Sequence, residues 1–131
     1  MNAEIIKECL NASFANTPFP VVMQKLASAG VASYNTDLIT LRKTYYDAGA
    51  ESVDEALPLT DAPKIAAQFD SEIVQAAVKD IQRKEIGYAD FLRRIMEAGC
   101  SSYQVFFNGR KAMYFGRDGA FYTESFPPTA K

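Results

Sequence analysis

Shifting the chain by 69 residues lays residues 19–58 over 88–127 without a gap, and seven of the 40 positions coincide. They are Ala29/Ala98, Gly30/Gly99, Ser33/Ser102, Tyr34/Tyr103, Tyr45/Tyr114, Glu55/Glu124 and Pro58/Pro127. Character is kept at further pairs, among them Leu26/Ile95, Arg42/Lys111 and Tyr46/Phe115. Upstream, Glu4-Ile5-Ile6 matches Glu72-Ile73-Val74 at an offset of 68. Self-similarity of this kind restricts the fold more than any local signal, because each copy must form the same supersecondary unit and the copies must bury their apolar faces together. The expectation is a single domain over residues 1–131 holding two internal repeats, at about 4–58 and 72–127.

Each repeat reads as two helices and three strands. Apolar residues recur at helical spacing in 4–12 and again in 71–84, where Ile73, Val74, Ala77, Val78 and Ile81 form one stripe. Asp70 and Ser71 suit the N-cap of the second of these helices. Another helix follows in each half, from Pro18 to about Ala29 and from about Tyr88 to Ala98. Gly30 and Gly99 then stand where a helix ends in a left-handed residue. Residues 101–107 and 110–116 flank Asn108-Gly109, which suits a type I′ hairpin turn, and Asp118-Gly119 leads into a third strand at 120–126. The first repeat keeps this spacing with Ile39-Thr40 and Ala48-Gly49 at the turns, and Pro58 and Pro127-Pro128 close the third strands. Residues 59–69 join the repeats, with a short helix expected after Pro63. The fold class is therefore α+β, an antiparallel sheet with helices packed on it, built from α-α-β-β-β twice.

Composition narrows the function classes. Fourteen basic residues face 16 acidic ones, for a net charge of -2, without the basic excess of a nucleic-acid binder. Histidine is absent, which removes the commonest general base and metal ligand. No stretch is long and apolar enough to span a membrane, and the first eight residues, with two acids, are unlike a secretory leader. Cys9 and Cys100 have no metal-type spacing and read as buried, reduced thiols. The expected location is cytoplasmic, with no cofactor, no metal and no nucleic-acid or membrane partner.

Neither a phosphate-binding loop nor a dinucleotide fingerprint occurs; Gly116-Arg117-Asp118-Gly119 belongs to a hairpin. The repeated tyrosines read as cross-strand pairs, Tyr34 opposite Tyr45 and Tyr103 opposite Tyr114. Arg42/Lys111 and Glu55/Glu124 suit surface ion pairs across neighbouring strands. An alternative is a small anion site at the junction of the repeats; Arg110, Lys111 and Arg117 cluster near the turns, and Arg93-Arg94 lie on the preceding helix.

Residues 82–91 (Gln-Arg-Lys-Glu-Ile-Gly-Tyr-Ala-Asp-Phe), Ala98-Gly99, Tyr103, the Tyr114-x-Gly116-x-Asp118-Gly119 hairpin and Glu124-x-Phe126-Pro127 carry a family resemblance. With Phe19-Pro20, Ala29-Gly30-Val31, Tyr34 and Asp37 of the first half, the chain resembles the Domain of Unknown Function 1398 family. That is a bacterial, prophage-associated family whose members are often labelled phage envelope protein. The resemblance spans nearly the whole chain, rests on structural motifs and implies no catalytic residues.

Alternation along the second meander separates two faces. Tyr103, Val105, Phe107, Ala112, Tyr114 and Phe121 are assigned to the helix-covered side, and Phe106, Lys111, Met113, Phe115, Tyr122 and Phe126 to the other. In the first repeat the corresponding positions are mostly polar, with Asp37, Arg42 and Thr44, and Glu55 nearby, against Tyr46, Val53 and Leu57 as exceptions. Phe106, Met113, Phe115 and Tyr122, with Lys111, thus form a candidate binding surface for a second copy or another protein partner. The expected function is that of a non-enzymatic interaction protein of phage or prophage origin. Two other classes stay open: a small-molecule binder with a pocket between sheet and helices, and a histidine-free enzyme using Tyr, Glu and Arg or Lys.

Overall fold

The computed structural model describes residues 1–126. Two helices, α1 (Ala3–Phe14) and α2 (Phe19–Ser28), precede strands β1 (Ser33–Asp37), β2 (Arg42–Tyr46) and β3 (Ser52–Ala56). The same order follows in α3 (Ser71–Gln82), α4 (Tyr88–Glu97), β4 (Cys100–Phe106), β5 (Lys111–Gly116) and β6 (Phe121–Ser125). The fold is α+β: four helices and one antiparallel sheet of six strands, in the order β3-β2-β1-β4-β5-β6.

Local chemistry accounts for the helices. Asn2 and Asp70 cap α1 and α3, each side chain accepting from the backbone N–H groups two and three residues on. The buried stripes are Ile6, Cys9 and Leu10 on α1, Val22 and Leu26 on α2, Val74, Ala77 and Val78 on α3, and Phe91, Leu92, Ile95 and Met96 on α4. Gly30 and Gly99 end α2 and α4 at φ +96° and +92°. Cys9 and Cys100 are buried and unpaired.

β1 joins the two meanders by pairing with β4, and Asn35 stands opposite Gln104. These two positions correspond under the 69-residue shift. The flanking hydrogen bonds are reciprocal: Leu38 N–H donates to the Ser101 carbonyl and Phe107 N–H to that of Ala32. Both tyrosine pairs form as the spacing predicts, with ring centroids 5.6 Å apart for Tyr34/Tyr45 and 5.1 Å for Tyr103/Tyr114.

Several local expectations are corrected. Neither Asn108 nor Gly109 has positive φ; the left-handed residue is Arg110 at +52°. The β4–β5 link is thus a four-residue loop rather than a type I′ turn, and β1–β2 matches it with Leu41 at +56°. The β5–β6 link spans three residues, Arg117 to Gly119, closed by Gly116 N–H donating to the Ala120 carbonyl with Gly119 left-handed. A two-residue turn at Asp118-Gly119 would have set Tyr122 against Phe115. The extra residue moves the register by one and turns every β6 side chain to the opposite face. Tyr122 therefore pairs with Tyr114 and Phe121 with Phe115. Residues 59–69 contain no helix; their backbone docks on α4 through Ala66 N–H to the Met96 carbonyl. Pro127 and Pro128 lie outside the described residues.

The two matched glycines differ in surroundings, which yields a test. A Cβ on Gly99 would stand 2.2 Å from the Gln68 carbonyl oxygen, whereas one on Gly30 would meet only Met1, at 3.6 Å. Gly30→Ala is expected to cost roughly 1–2 kcal/mol, the left-handed penalty alone. Gly99→Ala should cost at least twice that in urea denaturation, because the joining segment must also move.

Candidate functional site

The fully buried sheet side chains point to the helices, and the opposite face has none. Across β4, β5 and β6 that bare face presents three rows: Phe106–Lys111–Ser125, Gln104–Met113–Thr123 and Ser102–Phe115–Phe121. Across β1, β2 and β3 it presents Asp37–Arg42–Ala56, Asn35–Thr44–Asp54 and Ser33–Tyr46–Ser52. The β4–β6 half carries Phe106, Met113, Phe115 and Phe121 among polar residues, whereas the β1–β3 half is mostly polar. Phe115 and Phe121 pack ring to ring at 6.4 Å, with Phe121 59% exposed.

Of the candidate residues, Phe106, Met113, Phe115 and Lys111 share this face, and Tyr122 does not. Tyr122 faces the helices, where its hydroxyl donates to Glu124 at 2.6 Å. Burial, then the Glu124 hydrogen bond, pushes this phenol up to about 12. Phe126 turns the same way and meets Phe19 of α2. The surface ion pair in the first half is Arg42 with Asp54, at 3.1 Å, and not with Glu55, which faces the helices. Thr44 and then Arg42 hydrogen-bond the Asp54 carboxyl and hold it below its ordinary range. Arg110 and Lys111 stand at one end of β5 and Arg117 beyond the other, so no basic cluster forms at the sheet centre.

The helix-covered side holds a polar cluster centred on Lys43. Its side chain alternates to the same face as Tyr45 and is 3% exposed. The amine lies 4.5 Å from the Tyr34 ring centroid, 4.9 Å from Tyr88 and 5.9 Å from Tyr45. It donates to the Tyr88 hydroxyl at 2.9 Å, and that hydroxyl is hydrogen-bonded in turn to Tyr103. Phe14 of α1 packs edge-on against Tyr88, and Asn16 accepts from the Tyr88 N–H, so the first helix pair fixes the start of α4 over the amine. Cys9 is close enough for its charge to act on Lys43. Among the described residues no carboxylate pairs with Lys43.

Burial lowers the Lys43 pKa to about 7, because little solvates the charged form. The ring faces and the Tyr88 oxygen stabilise the protonated fraction. Burial also raises Tyr34, Tyr88 and Tyr114 well above the ordinary phenol, and Tyr103 to about 12 despite its hydrogen bond with Tyr88. Chemically the cluster can keep an amine neutral near neutral pH inside an aromatic enclosure. Tyr34, Tyr45, Tyr103 and Tyr114 all lie at 6% exposure or less, so the layer between sheet and helices is filled with side chains. Sequence reasoning passed over Lys43 in favour of the repeated Arg42. The available signal was parity: Lys43 is two residues from the core tyrosine Tyr45.

Among the described residues no Cys, Asp and Glu cluster could hold a metal ion, and no helix is long and apolar enough to cross a membrane. No family model matches the chain, and no curated protein matches it.

The lysine predicts an unusual pH dependence. Between pH 7 and the ordinary lysine value of 10.5 the unfolded chain holds a proton that the folded chain does not. Stability therefore rises with pH, by up to about 1.4 kcal/mol per unit. From about pH 9 the unfolded thiols, and then the unfolded tyrosines, ionise while the buried ones stay protonated, and stability turns down. Urea denaturation from pH 6.5 to 10.5 should show this rise and maximum, and Lys43→Met should remove the rise and stabilise the fold at pH 7.

Proposed function

We propose that the chain is a non-enzymatic interaction protein whose bare sheet face docks a protein partner, in the first instance a second copy of itself. One observation carries the reading: exposed Phe121 and half-buried Phe106, Met113 and Phe115 lie together on the sheet face that holds no buried side chain. A contiguous apolar surface rimmed by polar residues is the usual mark of a contact surface. A two-fold contact brings this patch against itself while the half bearing Asp37, Arg42 and Asp54 stays in water, so each apolar group gains an apolar neighbour. Phe121 replaces Tyr122 in the binding set, and Lys111 sits at its margin.

The resemblance to the Domain of Unknown Function 1398 family supports a bacterial, prophage-derived origin within this reading. The slightly acidic net charge supports a protein rather than a nucleic-acid partner. Two unpaired cysteines support a reducing, cytoplasmic setting.

Light scattering on the purified chain is expected to give twice the mass of one copy. Phe115→Asp and Phe121→Asp, each on an outward-facing strand position, should return the mass to a single copy with circular dichroism unchanged. A wild-type mass of one copy, or a folded variant of unchanged mass, overturns the proposal.

A further inference from the structure

The end of the sheet where β1 runs into β2 and β5 into β6 carries a second feature. The β1–β2 loop, the segment joining the halves, the end of α4 and the β5–β6 loop converge there on a cleft of about 500 Å³. Its floor is apolar: Leu38 and Met96, both 2% exposed, with the half-buried Leu41 and Ile65. Lys64 and Arg117 line it from two different loops, and neither has an ion-pair partner among the described residues.

The loop chemistry here is not what the backbone asks for. The two four-residue hairpin loops share one conformation, left-handed at Leu41 and at Arg110. In the second half the loop carries Asn108-Gly109-Arg110, ordinary polar turn residues; in the first, the same positions hold Ile39-Thr40-Leu41. Leucine is a poor choice for a left-handed site. Ile39, at 65% exposure, is the most exposed large apolar side chain among the described residues. Both line the cleft. Local rules are broken at functional sites more often than elsewhere, and here the departure from turn chemistry places apolar side chains at the mouth of a concave surface. Volumes of roughly 300–1,000 Å³ with an apolar lining and few polar groups are typical of small-ligand sites.

We infer that this cleft binds a small amphipathic anion, an alkyl or aryl carboxylate, with its apolar part over Leu38, Leu41, Ile65 and Met96 and its carboxylate between Lys64 and Arg117. Lys64 and Arg117, on separate loops, are the charged residues that line the cleft, and no acidic side chain lines it. Arg117 follows Phe115 by two residues, so the cleft opens at the end of the sheet where the Phe115–Phe121 row of the proposed docking face lies.

The test is a titration of the full chain with decanoate, followed by amide chemical shifts, with decanol as the uncharged control. Decanoate should saturate and move the amides of Ile39, Leu41, Ile65 and Arg117. The exposed pair Lys64→Glu and Arg117→Glu together should weaken decanoate at least tenfold and leave decanol unchanged. Ile39→Asn, which restores ordinary turn chemistry, should weaken both ligands severalfold without loss of folding. Absence of saturable binding, shifts centred on Phe115 and Phe121, or equal affinity in the charge-reversed variant overturns the inference.

Discussion

The structure depends on the pairing of β1 with β4. Each α-α-β-β-β unit by itself is a three-stranded meander with two short helices, of a size at which a single core is marginal. Joining the two inner edges removes two unpaired strand edges at once. It also makes a six-stranded floor for all four helices. The aromatic layer crosses this seam: Tyr34 on β1 packs against Tyr103 on β4 at 6.4 Å, and Phe91 of α4 against both Tyr103 and Tyr114. The core is therefore one body shared between the halves. The halves differ at positions matched by the 69-residue shift, Lys43 against Ala112 and Thr44 against Met113.

Lys43 shows what the sealed side of the sheet costs and what it holds. A buried ammonium without a carboxylate partner is unfavourable, and the fold offsets this with ring faces, a phenol oxygen and partial loss of the proton. The hydroxyl chain from Tyr88 to Tyr103 gives otherwise unsatisfied buried polar groups a partner in one another. Because Tyr88 starts α4 and is held by Phe14 and Asn16 from the α1 end, the amine sits where both helix pairs and the sheet meet. The bare side has the opposite character, with no buried side chain and, in its β4–β6 half, apolar side chains that a protein surface can cover.

Much of the architecture was legible from local signals. Helix stripes, the capping side chain of Asp70, the glycines after α2 and α4 and the tyrosine pairs all depend on contacts within a few residues or across one hairpin. The candidate surface was legible in part. Phe106, Met113 and Phe115 follow from strand parity, but Tyr122 and Phe121 exchanged roles because one extra loop residue reverses the parity of β6. Turn dipeptides such as Asp118-Gly119 fit loops of two or three residues equally well, and only the strand register decides between them.

By itself the sequence determined the class of fold and the order of its elements, because periodicity, caps and chain-reversing residues act over short distances along the chain. Tertiary structure alone decided that β1 and β4 form the seam, that Lys43 is enclosed by tyrosines from three elements, and that Ile39, Ile65 and Arg117 line a common cleft. Those are contacts between residues tens of positions apart. Which distant groups meet is set by how the whole apolar surface is best buried and every backbone group paired, a condition no short stretch of chain can satisfy or reveal.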